Sequence, residues 1–361
     1  MPADARHVLI VGAGVTGLLT AIRCALAGHR VTVLDRGAVP NPMSSSFDQH
    51  RTIRALDPGD RAATHRVAMA HRLWLELEAL LGTRLYRRVG VVTAWPAGEV
   101  DAVAAIGAEV GLSVELVEPD TLPHMRFPAG WTGVLEHDAG VLLADRVLTL
   151  AARWLDAHAL VTVRPRREIV AVDADAGQVV LADGERLGAD LILIAAGPWS
   201  RELVDLPMVL HRQAMVYLRP PEELARWWED APSAGRIGTD GRSWLLPPGD
   251  GTLLKVSSSA LCREVDSVSD RASRPDPAGT SWVDQVVAAI LTDPDRYPVH
   301  GVKECHYLVD AETGGASLVR LGPVVWARAA SGGDGFRTAP LIAAQIAETV
   351  MRSSPNWREY A

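Results

Sequence analysis

The sequence predicts an α/β fold in two interlocked parts, and three features predict it. A strand, helix, strand unit opens the chain, with the apolar run HVLIVG at 7–12, apolar residues at helical spacing through TGLLTAIRCALA at 16–27, and RVTVLD at 30–35. The run DLILIAAG, ending at Gly197, is apolar on successive positions, as strands buried on both faces of a parallel sheet are. From 208 to 256 polar and apolar residues alternate instead, which predicts antiparallel strands with one wet face. At 361 residues the chain is long for one core and suits two.

The remaining elements follow in order. Residues 36–60 are polar and rich in Pro, Ser and Gly, a loop with room to reach a ligand, and helical periodicity resumes over 61–81. Strands are expected near 88–95, 113–117 and 132–136, with a helix at 98–110. LADRVLTLAARWLDAHA at 143–159 is an amphipathic helix; VTVRP, EIVAVD and VVLAD follow it as strands expected, with DLILIAAG, in the parallel sheet. Residues 262–298 read as loop and helix, and within them SVSDRASRPDPAGTS at 267–281 reads as an exposed loop. VKECHYLVD and PVVWARA are strands, and APLIAAQIAETVMRS is a C-terminal helix.

Composition narrows the function class. A hydrophobic fraction of 48% with 22% charged residues suits a folded enzyme rather than a disordered chain. The net charge of −8 is small and dispersed, which argues against nucleic acid or an anionic membrane as partner. Cys24, Cys262 and Cys305 are odd in number and too widely spaced for a disulfide framework or a zinc site, so a reducing, cytoplasmic setting without a bound metal is expected; a monomer is expected as well. The short apolar run at the N-terminus, broken by glycines, reads as a first strand rather than a signal peptide or membrane span. Only Lys255 and Lys303 are lysines among 36 basic residues, so a lysine kept for its chemistry is easy to find.

Gly12-Ala13-Gly14-Val15-Thr16-Gly17 follows the first strand and opens the first helix, and Asp35 ends the second strand. The glycines allow a tight turn and a close approach to a pyrophosphate, the helix N-terminus offers amide donors, and the acid suits ribose hydroxyls. That predicts a dinucleotide site without choosing between FAD and NAD. Two further stretches occur later in the chain, DLILIAAGPWS at 190–200 and SGGDGFRTAP at 331–340. The three in this order resemble the D-amino-acid oxidase and sarcosine oxidase superfamily of flavoproteins over nearly the full length. SSSFDQHRTIR at 44–54, Lys255 in GTLLKV, Cys305 in KECHY and Arg337 in GGDGFR make the chain more similar to the monomeric sarcosine oxidase and N-methyltryptophan oxidase family.

The resemblance implies a Rossmann-like FAD-binding domain assembled from 1–84, 142–208 and 302–361, with a discontinuous antiparallel-sheet substrate domain from 85–141 and 209–301. It implies FAD contacts from Gly12, Gly14, Val15, Thr16, Gly17, Asp35, Arg36, Ser45, Arg51, Arg167, Gly197 and Trp199, and from Cys305, Gly333, Asp334, Gly335, Phe336 and Arg337. Cys305 stands where the similar oxidases carry a thioether link to the flavin, with the same C-x-Y spacing to Tyr307. Strand periodicity puts Cys305 and Tyr307 on one face and His306 on the other. Arg51 is implied beside the isoalloxazine edge. Arg54 and Arg337 are implied as a clamp for a substrate carboxylate. Lys255 is implied near flavin N5, where its charge favours electron transfer to dioxygen.

Departures from the family pattern matter as well. Phe47 and Ser259 stand where the sarcosine enzymes carry histidines, and Trp244 replaces a tyrosine, so with Tyr307 the substrate pocket is expected to be more apolar and suited to a cyclic or N-substituted amino or imino acid. No side chain is an obvious general base, and His50, His211 and His306 qualify only because they titrate near neutrality. The expected reaction is oxidation of a C–N bond with dioxygen as acceptor, in one step for a catabolic role or two for a biosynthetic one. A dehydrogenase passing electrons to a different acceptor is the alternative, and an FAD hydroxylase or a non-enzymatic flavin binder stands further behind.

Overall fold

The computed structural model describes residues 5–269 and 281–351, so most of the loop expected at 267–281 lies outside the described residues. His7–Val11 pairs in parallel with Arg30–Leu34 on one side and Leu191–Ile194 on the other. Val161–Arg164 and Val325–Ala327 extend the sheet in parallel, and Val319–Arg320 closes it antiparallel. The order is Val319–Arg320, Val325–Ala327, Leu191–Ile194, His7–Val11, Arg30–Leu34, Val161–Arg164.

Alternation along the first strand explains its unbroken hydrophobicity. Val8 and Ile10 enter a core shared with helices Val15–Leu26, Ala144–Asp156 and Ala339–Met351. Leu9 and Val11 enter a second core on the opposite face. That face is covered by Ile169–Asp173, Gln178–Leu181 and Arg186–Gly188, which form their own antiparallel three-stranded sheet. EIVAVD and VVLAD therefore lie outside the parallel sheet. Their buried residues, such as Val179 and Leu181, alternate with more exposed ones, which marks a sheet with one wet face.

The antiparallel region forms a nine-stranded sheet. From one edge it runs Cys262–Glu264, Met208–Leu218, Leu254–Ser258, Ser243–Leu246, Ser233–Ile237, Val91–Pro96, Trp131–Glu136 and Val114–Val117, with Val299–Asp310 also pairing Met208–Leu218. The expected domain boundary at 301/302 falls inside Val299–Asp310, which stays in this sheet along its length. Helix Trp282–Ile290 covers one face through Val286, Val287 and Ile290. Helix Ala225–Asp230, which the alternation hid, buries Trp228 completely and lets its Nε1 donate to Tyr297 Oη at 3.1 Å.

Two local features place the site. The polar stretch 36–60 is not all loop: Arg51–Ile53 is a strand antiparallel to Gly140–Leu142, which pins Arg51 in a small sheet with Tyr86–Arg87. Helix Arg61–Leu81 matches its expected limits because Asp60 accepts from Ala63 N at 2.8 Å and Gly82 ends it at a left-handed φ of 66°. At the first strand-to-helix turn, Gly12 takes φ 108° and its missing Cβ leaves room for Ala195 O, which a Cβ would meet at 2.3 Å. A Cβ on Gly17 would sit 1.9 Å from Gly12 O, so this glycine lets the helix pack onto the turn. Gly17→Ala is expected to cost ~1–3 kcal/mol of stability and to lower FAD retention, read by thermal melting and by flavin absorbance of the purified protein. Unchanged values of both would show that the helix can shift without cost.

Candidate active site

A cavity of about 690 Å³ runs from the first turn to the large sheet. One end is lined by Gly12, Gly14, Val15, Thr16, Asp35, Arg36, Arg167, Gly197 and Trp199, the other by Arg51, Arg54, Trp244, Lys255, Ser259, Cys305, Tyr307 and Arg337. Ser45, Gly333, Gly335 and Phe336 also line it. The fold thus brings residues spread over more than three hundred positions to one cavity.

The nucleotide end fits FAD. Helix Val15–Leu26 begins at Gly14 without a side-chain cap, so its first amides face the cavity, and Val15 N donates to Ser46 Oγ at 3.0 Å. The Asp35 carboxylate accepts from Ala13 N, Gly37 N and Asn41 Nδ2 at 2.8–2.9 Å, holding the turn while still bordering the cavity. Arg36 lies 5.1 Å over the Trp199 ring. Arg167 is paired with Asp183 and Glu185.

Three expected contacts lie elsewhere. Phe47 does not line the cavity: its carbonyl accepts from Lys303 Nζ, its ring sits 5.1 Å from that ammonium, and the side chain packs on the helix-side core. Asp334 points to Arg337 as its ion-pair partner and stands half in solvent. Gly17 serves the packing described above rather than the cavity wall. Strand periodicity holds at Val299–Asp310, since Cys305 and Tyr307 line the cavity and His306 does not.

The centre of the site is a carboxylate absent from the sequence expectations. Asp48 is completely buried; it accepts from Lys255 Nζ at 2.6 Å, and also from Arg51 Nη1 and Tyr217 Oη. Lys255 donates further to His50 O at 3.1 Å, and its ammonium sits 5.7 Å from the Trp244 ring. Burial, then the Arg51 charge, pushes the Lys255 ammonium well below lysine's usual pKa, with Cys305 opposing that push in part. Burial, then Lys255 and Arg87, holds His50 well below its ordinary value, so it stays neutral. Asp48 lies inside SSSFDQHRTIR, three residues before Arg51, and that spacing was the available signal.

Arg51 connects this cluster to the cysteine. Its Nη2 donates to Ser45 O at 2.6 Å and lies 3.9 Å from Cys305 Sγ, which in turn is 3.6 Å from Ser45 O. Arg54 donates to Leu56 O at 2.6 Å, and burial followed by the Arg337 charge lowers its pKa. Two guanidinium groups that repel each other across a cavity make a place for an anion. Glu136, fixed by Ala55 N and Leu56 N at 2.9–3.0 Å, steadies the chain carrying Arg54. Arg337 Nε is buried and has no hydrogen-bond partner among the described residues.

The walls are Trp244, Tyr307, Gln213, Met215 and Ser259. Tyr307 stacks on His211 with centroids 5.5 Å apart, and its hydroxyl is 3.4 Å from Cys262 Sγ. Ser259 Oγ accepts from Arg242 Nε at 3.3 Å. Arg328 is a further buried cation on the cavity, its pKa lowered to about 10 by burial. No helix among the described residues is long and apolar enough to cross a membrane.

The chain is similar to several known proteins. The chain is 25% identical over 228 residues to monomeric sarcosine oxidase of Bacillus sp. (strain B-0618), and 26% identical over 233 residues to human peroxisomal sarcosine oxidase. Each match covers 60% of this chain and 58% of the relative, so the chain spans less than two thirds of these relatives' length. Among solved structures it is similar to NikD, described as an unusual amino acid oxidase essential for nikkomycin biosynthesis, with a TM-score of 0.78, 18% identity and coverage of 98% of this chain and 96% of that one. Fructosamine oxidase of Aspergillus fumigatus (Amadoriase II) gives a TM-score of 0.77 at 19% identity, covering 99% and 88%. At such identities these two likenesses bear on the fold, which is the D-amino-acid oxidase type. The family described as FAD dependent oxidoreductase matches residues 7–349, and the chain belongs to it.

Proposed function

We propose that this flavoprotein oxidises the C–N bond of a secondary or cyclic amino or imino acid and uses dioxygen as its electron acceptor, releasing imine and hydrogen peroxide. One observation carries the reading: Arg51, Arg54, Arg337, Lys255 and Cys305 line one cavity. Bound FAD would supply the hydride acceptor and the route to oxygen. Arg54 and Arg337 hold the substrate carboxylate, which fixes the orientation of the adjacent C–H. The positive charges around the site lower the amine's pKa and favour its neutral, hydride-donating form, so no general base is required. Trp244 and Tyr307 shape the walls against water.

Lys255 stabilises negative charge developing on dioxygen, and Asp48 keeps that lysine charged in a buried setting. Cys305 carries the flavin covalently; the support is its place on the cavity beside Arg51 and Ser45. The stretches 1–84, 142–208 and 302–361 supply most of the cofactor contacts, while the substrate lies between Arg54 and Arg337 from those stretches and the wall that 209–301 contributes through Trp244.

Three measurements test this reading. Acid-denatured protein is expected to stay yellow, with the flavin on a peptide containing Cys305 and lost in Cys305→Ser; free FAD in the supernatant excludes the link. Lys255→Met is expected to slow reoxidation by dioxygen about a hundredfold while substrate reduces the flavin at an unchanged rate. Equal slowing of both half-reactions removes the lysine's role, and rapid reduction without reoxidation in the unaltered protein marks a dehydrogenase. Asp48→Asn leaves two buried cations without their counter-ion, so the protonated form of Lys255 is lost at lower pH than in the parent. Stopped-flow reoxidation should accordingly decline at lower pH, with ~3–5 kcal/mol less stability; an unshifted profile would confine Asp48 to packing.

A further inference from the structure

Arg236 is one of three non-glycine residues with a left-handed backbone among the described residues, at φ 56°. It is the extra residue of a bulge: Gly235 pairs with Trp244 and Ile237 with Ser243, and Arg236 has no partner between them. A left-handed bulge at an arginine is strained and re-aims the side chain, a pattern found where structure serves a site. The side chain is set firmly. Its guanidinium lies 3.9 Å from the Trp95 ring centroid and 5.2 Å from that of Trp131, and Nε donates to Ala94 O at 3.0 Å.

Arg236 lines the cavity and is exposed, as is Arg242. Arg242 is turned by Ser259 Oγ, 3.3 Å from its Nε, and the nearby Asp240 carboxylate accepts from the Arg242 backbone N–H at 3.0 Å. Neither guanidinium forms an ion pair among the described residues, whereas Arg36, Arg51, Arg167 and Arg337 on the same cavity each have a carboxylate partner. The terminal amino groups of Arg236 have no acceptor among the described residues, which leaves the half of its fork that suits a carboxylate for a ligand. Stacking between two indoles has already fixed the side chain, so little rotamer entropy is lost when an anion binds.

We infer that Arg236 and Arg242 form a second anion subsite at the open side of the cavity, and that the substrate is an amino or imino acid bearing a second carboxylate remote from the one held by Arg54 and Arg337. The identity of that anion as a substrate rests on the oxidase reading. Its binding does not, and the two can fail separately.

The test uses the FAD-loaded protein and non-oxidisable probes. Calorimetry compares succinate, glutarate and adipate with butyrate, pentanoate and hexanoate, which differ only in the second carboxylate. At least one diacid is expected to bind about tenfold or more tightly than its monoacid, the size of one charge-assisted hydrogen-bonded pair. Arg236→Gln and Arg242→Gln should each bring that diacid towards its monoacid while leaving the monoacid unchanged, whereas Arg54→Gln should weaken both. Arg236→Lys, which keeps the charge over the indoles, controls for folding and should retain part of the preference. Equal affinity within every pair, no binding of any probe, or equal loss of both members in the Arg236 and Arg242 variants overturns the subsite. Flavin bleaching by N-(2-carboxyethyl)glycine and by N-ethylglycine reads the oxidase assignment independently: no bleaching by either counts against that assignment and leaves the calorimetric result standing.

Discussion

A single buried carboxylate organises this site. Asp48 accepts from Lys255 in the large sheet, from Arg51 in the small sheet and from Tyr217 in a third strand, so the two halves of the fold meet on its oxygens. Taking two cations out of water costs several kcal/mol each, and the cost is tolerable only where a counter-ion and further acceptors wait. Here the acceptors are His50 O for Lys255 and Ser45 O for Arg51. One carboxylate faces two cations, so a positive charge remains, and it remains beside Cys305. That residual charge suits a site that holds an electron-rich flavin.

The same logic extends outward along the cavity. Arg54 and Arg337 are close enough to disturb one another and are only partly compensated by Glu136 and Asp334. Arg236 and Arg242 have no carboxylate at all among the described residues. Cationic character therefore rises from a partly neutralised centre to the exposed, uncompensated Arg236 and Arg242, and such a field attracts an anionic ligand.

Much of the fold was legible because period and punctuation agreed. The opening strand, helix and strand matched their expected limits closely, and Arg61–Leu81 was bounded by an aspartate cap and a left-handed glycine that both stand in the sequence. The misreadings have physical reasons. EIVAVD and VVLAD are as β-branched as true parallel strands, and only the burial of alternate residues reveals their separate sheet. Arg51–Ile53 is too short to show a period. In the site, residues with distinctive chemistry were found from sequence, namely a scarce lysine, a C-x-Y pair and arginines at spacing three. Phe47 was misplaced because adjacent residues on an irregular loop carry no rule for which side faces inward. Asp48, its neighbour, was missed for the same reason: an acid in a polar loop looks solvated until the fold brings Lys255 to it from 207 positions away. Arg236 depended on a bulge, which no hydrophobic pattern announces.

In the proposed arrangement one cavity holds the flavin between the Asp48 cluster and a carboxylate clamp. A crystal structure of the FAD-loaded protein with pentanoate decides it. The isoalloxazine edge is expected against Cys305 and Arg51, with Lys255 still on Asp48 and the ligand's carboxylate between Arg54 and Arg337. A carboxylate bound away from both arginines, or a flavin ring lying outside the cavity that Lys255 and Cys305 share, would contradict it.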